Sequence, residues 1–411
     1  MPHADEPVAC RPVDELSHHF PPGMQWRFAL AYGALFLPFA VVTPYLQVLL
    51  RCRGYDREQI GLVQGCLEVM AVLAPPLWGY MADRTGRPRL MLGLAALAAL
   101  PSFLLFGCTR SVVGALFVAT LFGLFYKPLI PLTDGLAFRF IRHHGGDYGA
   151  VRAGGSVSFL VCIAILEMAG IAATVTGNMI LVAMAMVALL HLGSVLLLPS
   201  DKTLVADARA ATEPAAHPGV RVFLTRGFIL VTLCAFLGRV AMMSYYGFFT
   251  LFLKEEIGFS KAGYIWVLGP LSEIPVIFYS KRIMERIGVR NLFALGLLGC
   301  VVRLFTFGIT RNIWVVVLLQ SLHALTFGAF HCATVTYVSR CVPARLNSTA
   351  QSVFAAVAMG GGGIVGGVLG GWVAERYGFT ALYLSFSGIA LLGLVLLLAL
   401  VPTLGGERPR G

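Results

Sequence analysis

The stretch Leu322 to Tyr337, LHALTFGAFHCATVTY, places two histidines in a segment that is otherwise apolar. At about 100° per residue on a helix, His323, Phe327, Phe330, His331 and Thr334 share an arc of about 100°, and Tyr337 extends the stripe. The two imidazoles then stand about 12 Å apart along the axis, so a solute or a water chain fits between them. Imidazole changes charge near neutral pH, which suits it to proton movement. Two core histidines hydrogen-bonded to neighbouring helices would produce the same pattern.

Charged residues in apolar surroundings narrow the chemistry. The second half of the chain carries Arg239, Glu273 and Arg303 in hydrophobic runs, two cations against one carboxylate. A buried guanidinium cannot shed its proton, so the excess cation needs an anion or water. Arg303 and Arg239 are therefore candidates for holding an anionic solute, with Tyr246, Trp266 and Phe327 as aromatic walls beside His323 and His331. Glu273 is the first candidate for a carboxyl that is neutral in one state and ionised in another. Glu68 and Asp134 are the next, and Glu68, Asp134, Lys127 and Arg152 in the first half can also simply balance one another. No nucleophile and base pair, metal-ligand spacing or phosphate loop accompanies them, so an enzyme is not expected.

These groups must be positioned within a bilayer. Of the 411 residues, 58% are hydrophobic and 12% charged, and the mean hydropathy is +0.81, far more apolar than a water-soluble domain. A span needs about 20 apolar residues. Twelve such runs are present, near 26–50, 58–80, 90–107, 112–138, 152–173, 178–198, 228–253, 262–280, 291–308, 313–338, 348–373 and 379–401. Residues 1–25 lack a cleavable signal pattern, which leaves the first span to direct insertion. The net charge of +11 does not point to nucleic acid, because about twenty of the 31 Lys and Arg fall on one side if both termini are cytoplasmic. The nine cysteines are scattered and suggest packing rather than disulfides or metal ligands.

The polar stretch 199–226 divides the spans into two sets of six, 26–198 and 227–402, with a tail at 403–411. The sets echo one another. A shift of 202 positions lays DRTGRPRL, Asp83 to Leu90, over ERIGVRNL, Glu285 to Leu292, and Gly61 over Gly263. Parallel repeats of this kind place a solute site between the halves near the midplane, which implies transport. The glycine run Met359 to Trp372 offers Gly363, Gly367 and Gly371 at fourfold spacing for close helix contact. Pro38, Pro44, Pro128 and Pro131 are expected to bend spans one and four.

The segment Gly79, Asp83, Arg84, Gly86, Arg87 resembles the loop signature of the major facilitator superfamily, and the two sets of six agree with it. Gly79 is expected to allow close helix approach and Asp83 to latch the loop, with an arginine across the half-interface as one acceptable partner. Further blocks, KPLIPLTDGLA, DYGAVRAGGSVSF, SYYGFFTLF, GYIWVLGPLSE, CVVRLF and QSVFAAVAMGG, are similar to the phenylpropionic acid permease family, which is related to lactose and nucleoside proton symporters. Lys127 departs from that family's small residue, and Thr326 stands where lactose permease would place a carboxylate.

The resemblance implies an all-α integral membrane protein, twelve transmembrane helices in two pseudo-symmetric six-helix bundles, working as a monomer in the inner membrane. It implies import of a small aromatic carboxylate driven by the proton gradient, with no other cofactor. A nucleoside or oligosaccharide symporter and an efflux pump for apolar compounds are the alternatives. Asp83, Arg84, Arg87 and Arg152 would serve the conformational change.

Overall fold

The computed structural model describes residues 24–144, 148–199, 225–342 and 346–401. The expected N-terminal segment, central loop and C-terminal tail fall almost wholly outside them. We number the spans α1 (Met24–Cys52), α2 (Arg57–Thr85), α3 (Pro88–Leu104), α5 (Tyr148–Met168), α6 (Asn178–Val195), α7 (Arg226–Glu255), α8 (Ala262–Ile287) and α9 (Val289–Ile309). Span α4 runs as Val112–Tyr126 and Leu129–His144, broken where Pro128 removes a backbone donor. Span α10 is Ile313–Leu319, a 3₁₀ turn Gln320–Leu322, a π-helical turn Ala324–Ala329 and Phe330–Cys341. Span α11 starts as Asn347–Phe354, widens into a π-helical turn at Ala355–Gly361, and continues over 362–377. Gly378, with φ 78°, breaks it from α12 at 379–400. Only glycine adopts that angle without strain.

Among the described residues, nine helices are long and apolar enough to cross a membrane, the longest being the 52-residue run Thr349–Leu400 that holds both α11 and α12. Span α8 adds one more, bent by 59° after Val276, next to Pro275. The shorter apolar helix Gly154–Met168 in α5 completes twelve. Helical hydrogen bonding is thus interrupted at Pro128 in α4 and the helix bent near Pro275 in α8, whereas α1 stays a single helix through Pro38 and Pro44.

The packing repeats as the sequence does. Span α1 lies against α5 and α6, α2 against α4, and α3 against α4 and α6; six spans later α7 lies against α11 and α12, α8 against α10, and α9 against α10 and α12. The halves meet through α2 on α11, α5 on α8, and α1 on α7, pairs that exchange or map onto themselves under a twofold axis.

Glycine explains the tightest of these seams. A Cβ on Gly61 would lie 2.5 Å from the Gly367 carbonyl oxygen, and one on Gly371 would lie 2.6 Å from the Arg57 carbonyl oxygen. Gly362 and Gly366, one residue out of phase, meet α7 at Arg239 and Val240. The doubled glycines thus give α11 two flat faces, one toward each half.

The end bearing the α1–α2, α7–α8 and α11–α12 turns is tied across the halves. Arg57 pairs with Glu255 at 2.6 Å, donates from its backbone N–H to Glu375 at 2.9 Å, and lies 4.3 Å over the ring of Phe379. Arg51 also reaches Glu255, at 2.9 Å. Below them, Glu167 of α5 is buried and accepts from the Tyr45 hydroxyl at 2.7 Å and from the Gly263 N–H at 2.9 Å, at the first turn of α8.

Candidate functional site

A cavity of about 650 Å³ lies between the halves near the middle of the spans. The first half contributes Phe36 and Phe39 from α1, Gln64 and Glu68 from α2, Tyr126 and Lys127 from α4, and Arg152 and Phe159 from α5. The second contributes Arg239 and Tyr246 from α7, Trp266 and Glu273 from α8, and His323 and Phe327 from α10. Local breaks place several of these groups. Lys127 sits at the interruption of α4, Glu273 between Pro270 and Pro275 of α8, and His323 between a 3₁₀ and a π-helical turn of α10. Irregular backbone at membrane depth is tolerated where it lines a cavity.

On one wall, Glu273, His323 and Arg303 form a chain. The Nδ1 of His323 lies 2.8 Å from Arg303, and its Nε2 lies 2.8 Å from the Glu273 carboxyl. Arginine only donates, so Nδ1 must accept, and the single proton of a neutral imidazole then sits on Nε2 and points at Glu273. Arg303 itself is 2% exposed and also holds Gln320 at 2.6 Å and Thr326 at 3.3 Å, with its guanidinium 3.9 Å over the Tyr245 ring.

On the other wall, Glu68 takes two cations from opposite halves. Its carboxylate lies 3.1 Å from the Lys127 Nζ and 3.4 Å from the Arg239 guanidinium. Arg239 also donates to the Met359 carbonyl in the π-helical turn of α11, at 3.3 Å, and lies over Tyr246. Asp134, behind this wall, accepts from the Tyr32 hydroxyl at 2.6 Å and pairs with Arg152 at 3.4 Å. Lining the cavity, Lys127, Arg152 and Arg239 stand against two carboxylates, Glu68 and Glu273, so the charge balance favours an anion.

The family model described as the MFS_1 like family matches residues 25–385. The chain belongs to the MFS_1 like family. Its fold is the major facilitator fold, and it is a multi-pass membrane transporter of a small molecule, not an enzyme. Among relatives of this MFS_1 like chain, the maltose permease of Geobacillus stearothermophilus is 28% identical over 391 residues, 93% of this chain and 96% of the relative. The probable 3-phenylpropionic acid transporter of Escherichia coli (strain K12) is 28% identical over 363 residues, 85% of this chain and 91% of the relative. The crystal structure of the nucleoside transporter NupG superposes with a TM-score of 0.81 at 18% identity, covering 92% of this chain and 99% of that one.

Of the expected solute-facing residues, Arg239, Tyr246, Trp266, His323 and Phe327 line the cavity, and so do Glu273, Glu68 and Arg152. Arg303 does not. It stands behind His323, where it fixes the imidazole rather than the wall. His331 is also off the cavity, although His323, Phe327 and His331 do stack as a column, rings 6.0 and 5.9 Å apart and nearly parallel. Thr334 and Tyr337, expected on the same stripe, are buried in the core instead. Lys127 pairs with Glu68, while Asp134 is held by Tyr32 and Arg152.

The signature segment is corrected in three ways. Gly79, Asp83 and Arg84 lie on the last turns of α2, and the turn itself begins at Gly86, with φ 64° and its N–H on the Asp83 carbonyl. Gly79 has nothing within 4 Å of where a Cβ would stand, so it makes no close helix approach. Asp83 pairs with Arg139 of α4, inside its own half, while Arg84 and Arg87 are exposed.

Sequence reasoning undervalued Tyr126, Gln64 and Gln47. The buried Tyr126 hydroxyl lacks a hydrogen-bond partner at the cavity edge, and Gln64 donates to the Gly247 carbonyl across the halves at 2.8 Å. Gln47 likewise reaches the α7 backbone from α1, at 3.4 Å. Isolated amides in apolar runs were the available signal.

Proposed function

We propose that the chain imports a small aromatic carboxylate of the 3-phenylpropionate type together with protons, by alternating access in the inner membrane. The observation that carries this reading is the cavity, where Lys127, Arg152 and Arg239 stand among Phe39, Tyr126, Tyr246, Trp266 and Phe327. Cations seat a carboxylate and the rings pack an apolar body. The similarity to a probable 3-phenylpropionic acid transporter supports the same class. With both termini cytoplasmic, as the Lys and Arg distribution favours, the end tied by Arg57 and Glu255 is the outer one and the cavity serves the cytoplasm.

Glu273 carries the coupling proton, presented to it by His323, whose tautomer Arg303 sets. The chain works as a monomer with the proton gradient as its only energy source. The test is substrate-induced alkalinisation outside vesicles that contain the purified protein. Radiolabelled 3-phenylpropionate should enter with protons, while maltose and nucleosides should not compete. Proton-linked uptake of a sugar or nucleoside with no response to aromatic acids would overturn the assignment.

A further inference from the structure

Glu68 is the one carboxylate of the cavity that binds cations from both halves. Its oxygens divide between Lys127 of α4 and Arg239 of α7, at 3.1 and 3.4 Å. The seat is shaped for it. A Cβ on Gly363 would lie 2.8 Å from the Glu68 Oε2, and one on Gly362 would lie 2.9 Å from the Cβ of Arg239, so the Glu68 carboxylate and the stem of Arg239 rest on the two glycine faces of α11. Aromatic rings flank the pair, with Tyr246 beneath Arg239 and Tyr126 adjoining Lys127 in the same wall. The cations best placed for a solute's carboxylate are thus already holding one.

We infer that Glu68 stands in for the substrate anion in the empty carrier, and that a proton taken up by Glu68 releases Lys127 and Arg239 to the incoming carboxylate. The inference rests on the aromatic carboxylate reading above. Two carboxylates sharing one pair of cations repel each other, and neutralising one removes that cost. The proton comes from water in the cavity and forms the Glu68 carboxylic acid; no covalent bond to the substrate forms or breaks. Binding of anion and proton then favour one another, and by linkage the coupling runs equally in both directions. An anion bridging Lys127 and Arg239 also restores the tie between halves that Glu68 gives up.

The groups facing Glu68 support this division of labour. Lys127 comes from α4 and Arg239 from α7, while the facing stretch of α11, 355–371, holds no ionisable side chain. On α2 its polar neighbour one turn away is Gln64, committed to the Gly247 carbonyl. Arg152 of α5 shares the cavity, paired with Asp134, and Glu273 is engaged with His323 on the other wall.

The test is proton exchange on binding, measured with a pH indicator in weakly buffered solution as 3-phenylpropionate is added to the purified full chain. Wild type should take up about one proton per anion bound, and its affinity should fall by up to roughly tenfold per pH unit on the alkaline side. Glu68→Gln should bind with no proton uptake and with affinity flat between about pH 6 and pH 8. Proton uptake that persists in Glu68→Gln, or binding to wild type without any uptake, would overturn the inference while leaving the substrate class standing. Failure of wild type to bind 3-phenylpropionate at all would instead overturn the substrate class. Infrared difference spectra of wild type give a check free of variants, since a carboxylic acid C=O band must appear when the anion binds.

Discussion

His323 donates to Glu273 through Nε2, across 2.8 Å, because Arg303 occupies its Nδ1. A guanidinium that never deprotonates therefore decides which imidazole nitrogen carries the proton and turns that proton toward the Glu273 carboxyl.

Replacing Glu273 by glutamine keeps the shape of the neutral acid but removes its titration. Glu273→Gln vesicles should exchange internal for external substrate at near wild-type rates and fail to accumulate it uphill. Accumulation against a gradient by this variant would remove Glu273 as the obligatory carrier.

Arg303→Lys retains the charge but loses the fork that reaches His323, Gln320 and Thr326 together. Each charged hydrogen bond lost inside the protein costs about 2 kcal/mol. We expect reduced thermal stability and a displaced pH profile of uptake, with substrate affinity changed little, because Arg303 does not line the cavity. A loss of binding with stability unchanged would place Arg303 at the substrate after all.

If Glu68 and Glu273 each take up a proton, one monovalent anion enters with net positive charge. A substrate jump on a supported membrane should then give an inward positive current that a negative-inside potential increases. A silent, electroneutral response would mean that one of the two carboxyls does not titrate in the cycle.

Asp83 and Arg139 brace α2 against α4 within one half, and both are partly solvated, so the pair is worth less than about 1 kcal/mol to stability. Asp83→Asn and Arg139→Gln should each slow transport while preserving equilibrium binding. In a double-mutant cycle the two effects on rate should not add.

At Gly371 a side chain would meet the Arg57 carbonyl oxygen at 2.6 Å. Overpacking of this sort costs about 2 kcal/mol, roughly a thirtyfold shift away from the state closed at that end. Gly371→Val should raise the reactivity of a cysteine introduced at Gln47 toward impermeant reagents added outside. Unchanged labelling would show that α2 and α11 part without passing through this contact.

The spans and their repeat were legible in the sequence because apolar run length and the recurrence of Gly61 and Asp83 at Gly263 and Glu285 are local signals. Roles that depend on packing were not. A wheel of uniform pitch put Thr334 and Tyr337 on the stripe of His323, yet both are buried in the core, while His331 keeps to the stack above Phe327. Residue type marked Arg303 and Arg239 as equals; only packing assigns one to an imidazole and the other to the opposite half. Lys127 stood out as a departure, yet its partner two spans away could not be read from spacing.

The glycine seam between α2 and α11 has a kinetic consequence. Gly61, Gly367 and Gly371 meet backbone to backbone through shape alone, a contact that separates without breaking a directional bond along its length. The ionic part of the resistance to parting lies at the rim, in Arg51, Arg57 and Glu255, whose side chains are partly solvated, while buried hydrogen bonds such as Gly263 to Glu167 supply the rest. Dissolved ions weaken such pairs but leave shape contacts untouched. The rate at which the binding chamber exposes itself to the outside should therefore rise with the salinity of the surroundings, making the turnover of an empty carrier a function of the medium in which the cell lives.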